Sequence, residues 1–212
     1  MKKFNPMWWL LLLPFFGGMY IALCGDKYYA FEKSIFIFLR QLSPSADLPF
    51  YLLTELGSAV GVISVLAIIA VTSAVLKRFW TFGCPLAITV VISRLMNVTI
   101  KYLINRPRPD FKVLQASEAS FPSGHAQNNM ALYIAILLLL NIATFLPKFK
   151  TVFKIILVAI PVIIGITRVY FGVHYASDVV AGWSLGALCA IATVNLYFKI
   201  YSFKKEKCNG KN

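Results

Sequence analysis

The chain has 212 residues, of which 59% are hydrophobic and 14% charged, and its formal net charge is +13. A soluble domain is about 45–50% apolar, so the composition points away from one. So large a positive charge invites a nucleic-acid reading, which the position of the cations along the chain excludes.

Apolar runs close to the ~20 residues that cross a bilayer's hydrocarbon core fall at 7–24, 52–76, 81–100, 126–146, 152–170 and 179–199. They predict an all-α polytopic membrane protein with six transmembrane helices, in a single membrane-embedded domain over 1–212. The first run follows "MKK", but "IALCGD" offers no small-x-small cleavage site. It is therefore expected to stay as a span, with Trp8 and Trp9 at the inner interface. In a six-span arrangement Lys2, Lys3, Lys77, Arg78, Lys148, Lys150, Lys154, Lys199, Lys204, Lys205, Lys207 and Lys211 share one side. That is the positive-inside pattern and puts both termini in the cytoplasm. Cys24, Cys84, Cys189 and Cys208 show neither metal nor redox spacing, and are read as free thiols.

Three connections then face outward. The first, 25–50, contains "FEKSIFIFLRQLSP", whose apolar residues recur at helical spacing, and predicts a short interfacial helix. The second, 101–125, holds Pro107 and Pro109, which forbid a regular helix there. Ser123 is a suitable N-cap for the fourth span. The third, 171–178, is short and keeps Arg168 and His174 near the span ends.

This outer side carries Lys101, Arg106, Arg108, Lys112 and Arg168 together, with Asp110, Glu118 and Asp178 nearby. Cations held together repel unless an anion joins them. Lys101 and Arg108 are seven residues apart and share a side if the helix persists. Ser123, Gly124 and His125 open a helix, whose free N–H groups favour an anion, and Gly124 lets it come close to the backbone. Arginine presents a planar fork matched to phosphate oxygens. The set reads as a phosphate site. His174 and Asp178 stand at i and i+4, so the carboxylate can hold one ring proton and leave the other nitrogen free to attack. His125, the only other histidine, is then available to protonate a leaving oxygen.

Three stretches carry a resemblance. "KYLINRPRP" fits K-x6-R-P through Lys101, Arg108 and Pro109, and "PSGH" at 122–125 is complete. "TRVYFGVHYASD" fits S-R-x5-H-x3-D through Arg168, His174 and Asp178, with Thr167 in place of serine. The chain resembles the type-2 phosphatidic acid phosphatase superfamily in its membrane-bound branch. The resemblance implies a phosphohistidine formed on His174 and oriented by Asp178, with His125 as acid and then base. Lys101, Arg108, Ser123, Gly124 and Arg168 would bind the phosphoryl oxygens. It implies neither a metal nor another cofactor, because fixed cations stabilise the charge.

The expected substrate is a membrane lipid phosphate or diphosphate, reached from the bilayer at the outer side of the cytoplasmic membrane. Phosphatidylglycerophosphate, phosphatidic acid, undecaprenyl pyrophosphate and a lipid A phosphate all fit. Arg106 and Lys112 are read as spare cations available to a second phosphate. Arg94, within the third span, is expected to pair with Glu55, with direct contact to substrate as the alternative. The alternative function is a non-enzymatic phospholipid transporter or anion-binding scaffold, which would need a polar route through the bundle.

Overall fold

A computed structural model describes residues 6–116, 119–142 and 150–209. Of the residues named above, Lys2, Lys3, Glu118, Lys148 and Lys211 lie outside them. The described residues form a 3-10 turn, Pro6–Leu11, and the helices α1 (Leu12–Leu23), α2 (Gly25–Arg40), α3 (Asp47–Leu56) and α4 (Ala59–Val75). They continue with α5 (Gly83–Ile104), α6 (Gly124–Ile142), α7 (Lys150–Tyr170) and α8 (Ala176–Asn209). Among the described residues there is no strand.

Among the described residues, three helical stretches are long and apolar enough to cross a membrane: Gly83–Ile104, Thr151–Tyr170 and Ala176–Ser202. Two bent pairs also qualify, Trp8–Leu23 with Gly25–Arg40 at 111° and Asp47–Leu56 with Ala59–Val75 at 53°. The expected span 52–76 is thus broken. The break falls at Gly57 and Ser58, where Ser58 Oγ caps α4 by accepting from Gly61 N–H at 3.3 Å. Gly57 is small because Asn129 of α6 donates to its carbonyl at 2.8 Å and Ile164 of α7 packs onto its Cα.

α6 lies against α8, and small residues allow it. A Cβ on Gly182 would stand 2.8 Å from the Ser123 carbonyl, and one on Gly186 would run into the α6 backbone at Gln127. Apolar tails offer membrane helices no hydrophobic drive to associate, so backbone approach at small residues does much of it. Ala126, Ala131, Leu132, Ala135 and Leu139 of α6 are buried there.

Below the site end, polar side chains tie α5 to α6. Asn97 donates to Gln127 Oε1 at 2.8 Å, Gln127 Nε2 donates to the Ser93 carbonyl at 2.8 Å, and Ser93 Oγ donates to Asn128 Oδ1 at 2.9 Å. The run "HAQNN", whose first residue closes the second motif, is therefore a helix–helix joint.

α2 is a helix where the sequence predicts the interfacial one, and its polarity is unusual. Its buried residue is Glu32, at 2% exposure, while Phe31 and Phe38 are 60% and 69% exposed. A helix that hides a carboxylate and shows its aromatics suits an apolar surrounding. It covers the site end through stacking of Phe36 on Phe111 and a hydrogen bond from Tyr29 Oη to Asp110 at 2.8 Å.

Candidate active site

The end of α5, the starts of α6 and α8, and the loops beside them meet at one end of the bundle. α5 stops where Asn105 adopts a left-handed conformation, φ 44°, and donates its N–H to the Lys101 carbonyl. The helix therefore does not persist to Arg108, as the shared-face reading required. Arg108 comes from the following loop, pinned by its own bonds: Nη1 donates to the Val173 carbonyl at 2.6 Å and lies 3.2 Å from His174 Nε2.

Lys101, Arg108, Gly124, His125, Arg168 and His174 line one cavity of about 420 Å³. Motifs separated by as much as 73 positions in sequence converge here, from Lys101 to His174. Lys101 Nζ donates to the Ala119 carbonyl. Arg168 donates from Nη1 to Thr54 Oγ1 at 2.7 Å, while its Nε is buried without a partner among the described residues. A buried donor left unsatisfied is costly.

Ser123 and Asp178 stand behind the cavity wall. Ser123 has no exposure, and its Oγ accepts from Ala126 N–H at 3.4 Å as the N-cap of α6. Through that bond the hydroxyl supports the helix start. Asp178 sits in the first turn of α8 and accepts from the Tyr175 N–H at 3.0 Å, one half of a capping box. Its Oδ2 lies 3.5 Å from His174 Nδ1, and Ser120, which donates to the same oxygen, is also 3.5 Å from that nitrogen. Thr167 donates to the Ile164 carbonyl at 2.6 Å, within α7. Its replacement of serine leaves the cavity untouched.

His174 precedes α8 and is almost fully buried. Burial pushes its imidazole down to about 3; Asp178 opposes that, and the charges of Arg108 and Arg168 reinforce it. The ring is neutral at ordinary pH. With the Arg108 guanidinium donating toward Nε2, the proton belongs on Nδ1, facing Asp178. The Nε2 lone pair then points at the cation-lined cavity.

Arg106 corrects the sequence reading. It is 6% exposed, so it is not a spare surface cation. Its Nη1 reaches Asp178 Oδ1 at 2.5 Å and Ser177 Oγ at 2.9 Å, its Nη2 lies 3.6 Å from Glu32, and its Cζ is 3.9 Å from the centre of the Tyr175 ring. Glu32 also accepts from Ser177 Oγ and lies 3.4 Å from its N–H. Lys112 is exposed, beside the Ala116 carbonyl at 3.3 Å. Arg94 lines the cavity itself.

Residues 58–202 match the PAP2 superfamily. The chain belongs to it. This PAP2 protein is 35% identical over 156 residues to phosphatidylglycerophosphatase B of Bacillus subtilis, covering 73% of this chain and 76% of that one. It is 30% identical over 207 residues to an undecaprenyl-diphosphatase of Sulfolobus acidocaldarius, covering 92% and 93%. The crystal structure of a transmembrane PAP2-type phosphatidylglycerolphosphate phosphatase from Bacillus subtilis superposes with a TM-score of 0.80 at 29% identity, over 91% of this chain and 98% of that one. The PAP2 chain is an enzyme, a phosphatase.

The Arg106 brace has a measurable consequence. Removing one member of a buried charge set leaves the others uncompensated, at about 3–5 kcal/mol. Arg106→Met should therefore unfold markedly earlier in detergent, whereas Glu32→Gln, which keeps an acceptor for Ser177, should cost much less. Equal thermal stability of wild type and Arg106→Met would contradict the brace.

Proposed function

We propose that the protein hydrolyses the phosphate or diphosphate of a membrane lipid through a phosphohistidine intermediate. The observation that carries this is the convergence of both histidines and four cations on one cavity, with His174 Nε2 facing in and Asp178 behind it.

In the first step His174 Nε2 attacks phosphorus. The P–N bond forms as the bond to the leaving oxygen breaks, and His125 gives its proton to that oxygen. Asp178 holds the Nδ1 proton and offsets the positive charge that the ring acquires. In the second step His125 takes a proton from water, the new P–O bond forms and the P–N bond breaks, which restores neutral His174. Lys101, Arg108, Arg168 and the start of α6 at Gly124 hold the equatorial oxygens, where charge accumulates. Arg108 now leans on Nε2, so an incoming phosphoryl group must draw it away before attack. That exchange links binding to exposure of the nucleophile.

The apolar cavity wall of Val62 and Ile63 on α4 and Val90 on α5 supports a lipid substrate, because it provides a path for an acyl or prenyl tail. The mutual bonding of Ser93, Asn97 and Gln127 supports an enzyme over a transporter, since these side chains close a joint between helices rather than line a route. We read six spans by counting Trp8–Leu23, the bent pair of α3 and α4, α6 and the three long helices. Lys77, Arg78, Lys154 and Lys199 follow α4, start α7 or end α8, remote from the cavity. This supports a cytoplasmic placement of both termini and an outward-facing site in the cytoplasmic membrane.

Two experiments test this reading. His174→Ala should abolish phosphate release from every substrate. His125→Ala should lose about 10²–10⁴-fold on an alkyl phosphate and recover most of that on an aryl phosphate, which needs no protonation. Equal losses on both substrates would remove His125 from the leaving-group step. For sidedness, a cysteine at exposed Lys112 should react with an impermeant thiol reagent in intact cells, and one at Lys199 should not. The opposite pattern would reverse the orientation.

A further inference from the structure

Arg94 extends the phosphate site toward the membrane interior. It precedes Lys101 by seven residues on α5, about 10.5 Å along the axis and on nearly the same face. Its side chain climbs toward the catalytic end: Nη1 comes within 3.9 Å of where a Cβ on Gly124 would sit. Arg94 and Asn128 line the same cavity as the histidines. Ser93 donates to Asn128 Oδ1 at 2.9 Å, which leaves the amide nitrogen as the donor this side chain can offer.

The lining residues of α5 run Lys101, Arg94 and Val90 away from the catalytic end, Asn128 lies one turn into α6 from Gly124, and Val62 and Ile63 of α4 add apolar wall. A lipid diphosphate carries its groups in that same order: a terminal phosphoryl group, a second phosphate and an apolar tail. Phosphatidic acid lacks the middle group. We propose that Arg94, assisted by Asn128, is a subsite for a second anionic phosphate on the tail side of the scissile one, and that it biases the enzyme toward such lipids. The inference rests on the phosphatase reading above and adds the residue that selects among substrates.

The subsite also acts on the leaving group. When the terminal P–O bond of a diphosphate breaks, the negative charge goes to the lipid monophosphate. A guanidinium beside that phosphate stabilises the charge as it develops, so departure needs less proton donation from His125.

The test compares wild type, Arg94→Gln and Arg94→Lys on a prenyl diphosphate, phosphatidylglycerophosphate and phosphatidic acid in mixed micelles. Removing one charge-assisted hydrogen bond from the transition state predicts a fall of about 10- to 100-fold in kcat/KM for the diphosphate with Arg94→Gln. Phosphatidic acid should lose at least tenfold less than the diphosphate, and an unfolding temperature in detergent like that of wild type shows that the variant is folded. Arg94→Lys should restore most of the diphosphate activity. Phosphatidylglycerophosphate separates the two sources of a second phosphate: a parallel fall extends the subsite to a phosphodiester, and no fall restricts it to directly joined phosphates. Equal losses on all three lipids, or a larger loss on phosphatidic acid, would overturn the subsite. Binding gives a readout independent of turnover. Wild type should hold inorganic pyrophosphate more tightly than inorganic phosphate, and Arg94→Gln should abolish that preference. An unchanged preference overturns the subsite, whereas a wild type that binds both anions but releases phosphate from no lipid refutes the phosphatase reading instead.

Discussion

A carboxylate taken out of water must be surrounded by donors, and Asp178 is fully buried. It gathers them from separate parts of the chain: Arg106 from the loop after α5, Ser120 from the approach to α6, and the Tyr175 N–H from the start of its own helix. Its backbone carbonyl also accepts from the Ser123 N–H at 3.0 Å, which fixes the start of α6 against α8. Satisfying this one group places the segments that carry His125, Arg108 and His174. The charge of Arg106 is shared with Glu32, so α2 is drawn in as well. Catalytic geometry and the packing of the site end are therefore one problem with one solution.

The opposite charge is assembled in front of the histidines. Lys101, Arg108 and Arg168 face a common cavity, and the buried Arg168 Nε has no acceptor among the described residues. Like charges gathered in one cavity repel, and an anion among them offsets that repulsion. The same surroundings keep His174 neutral, because burial and adjacent guanidinium groups both disfavour imidazolium. A neutral ring is the form that can attack. In the proposed mechanism the cations hold the substrate and preserve the nucleophile, and Asp178 stabilises the ring only after it has become positive.

Much of this site is legible in the sequence because its chemistry is carried by rare residues. In so apolar a chain, two histidines, a proline-rich basic stretch and an acid four residues after His174 have few innocent explanations. Spacing also misleads. It suggests that Arg108 shares a helical face with Lys101, but Asn105 ends the helix and a loop delivers Arg108 instead. It makes Arg106 a spare cation, because nothing local shows that Asp178 and Glu32 will meet it. Glu32 itself reads as one charge on an interfacial helix. The signal that could distinguish it is its place among aromatics that turn out to face outward. The broken second span is hidden because Gly57 and Ser58 interrupt an otherwise continuous apolar run, and only the approach of Asn129 and Ile164 makes the break necessary.

The central claim is that His174 forms a covalent bond to phosphorus. Purified enzyme mixed with a lipid phosphate and quenched into alkali, where phosphohistidine survives, should yield a phosphorylated peptide. Fragmentation mass spectrometry should place the phosphoryl group on His174, and the label should accumulate in His125→Ala, where hydrolysis of the intermediate is slowed. Phosphate found on His125 or on a serine, or turnover by His174→Ala at the wild-type rate, would contradict the account.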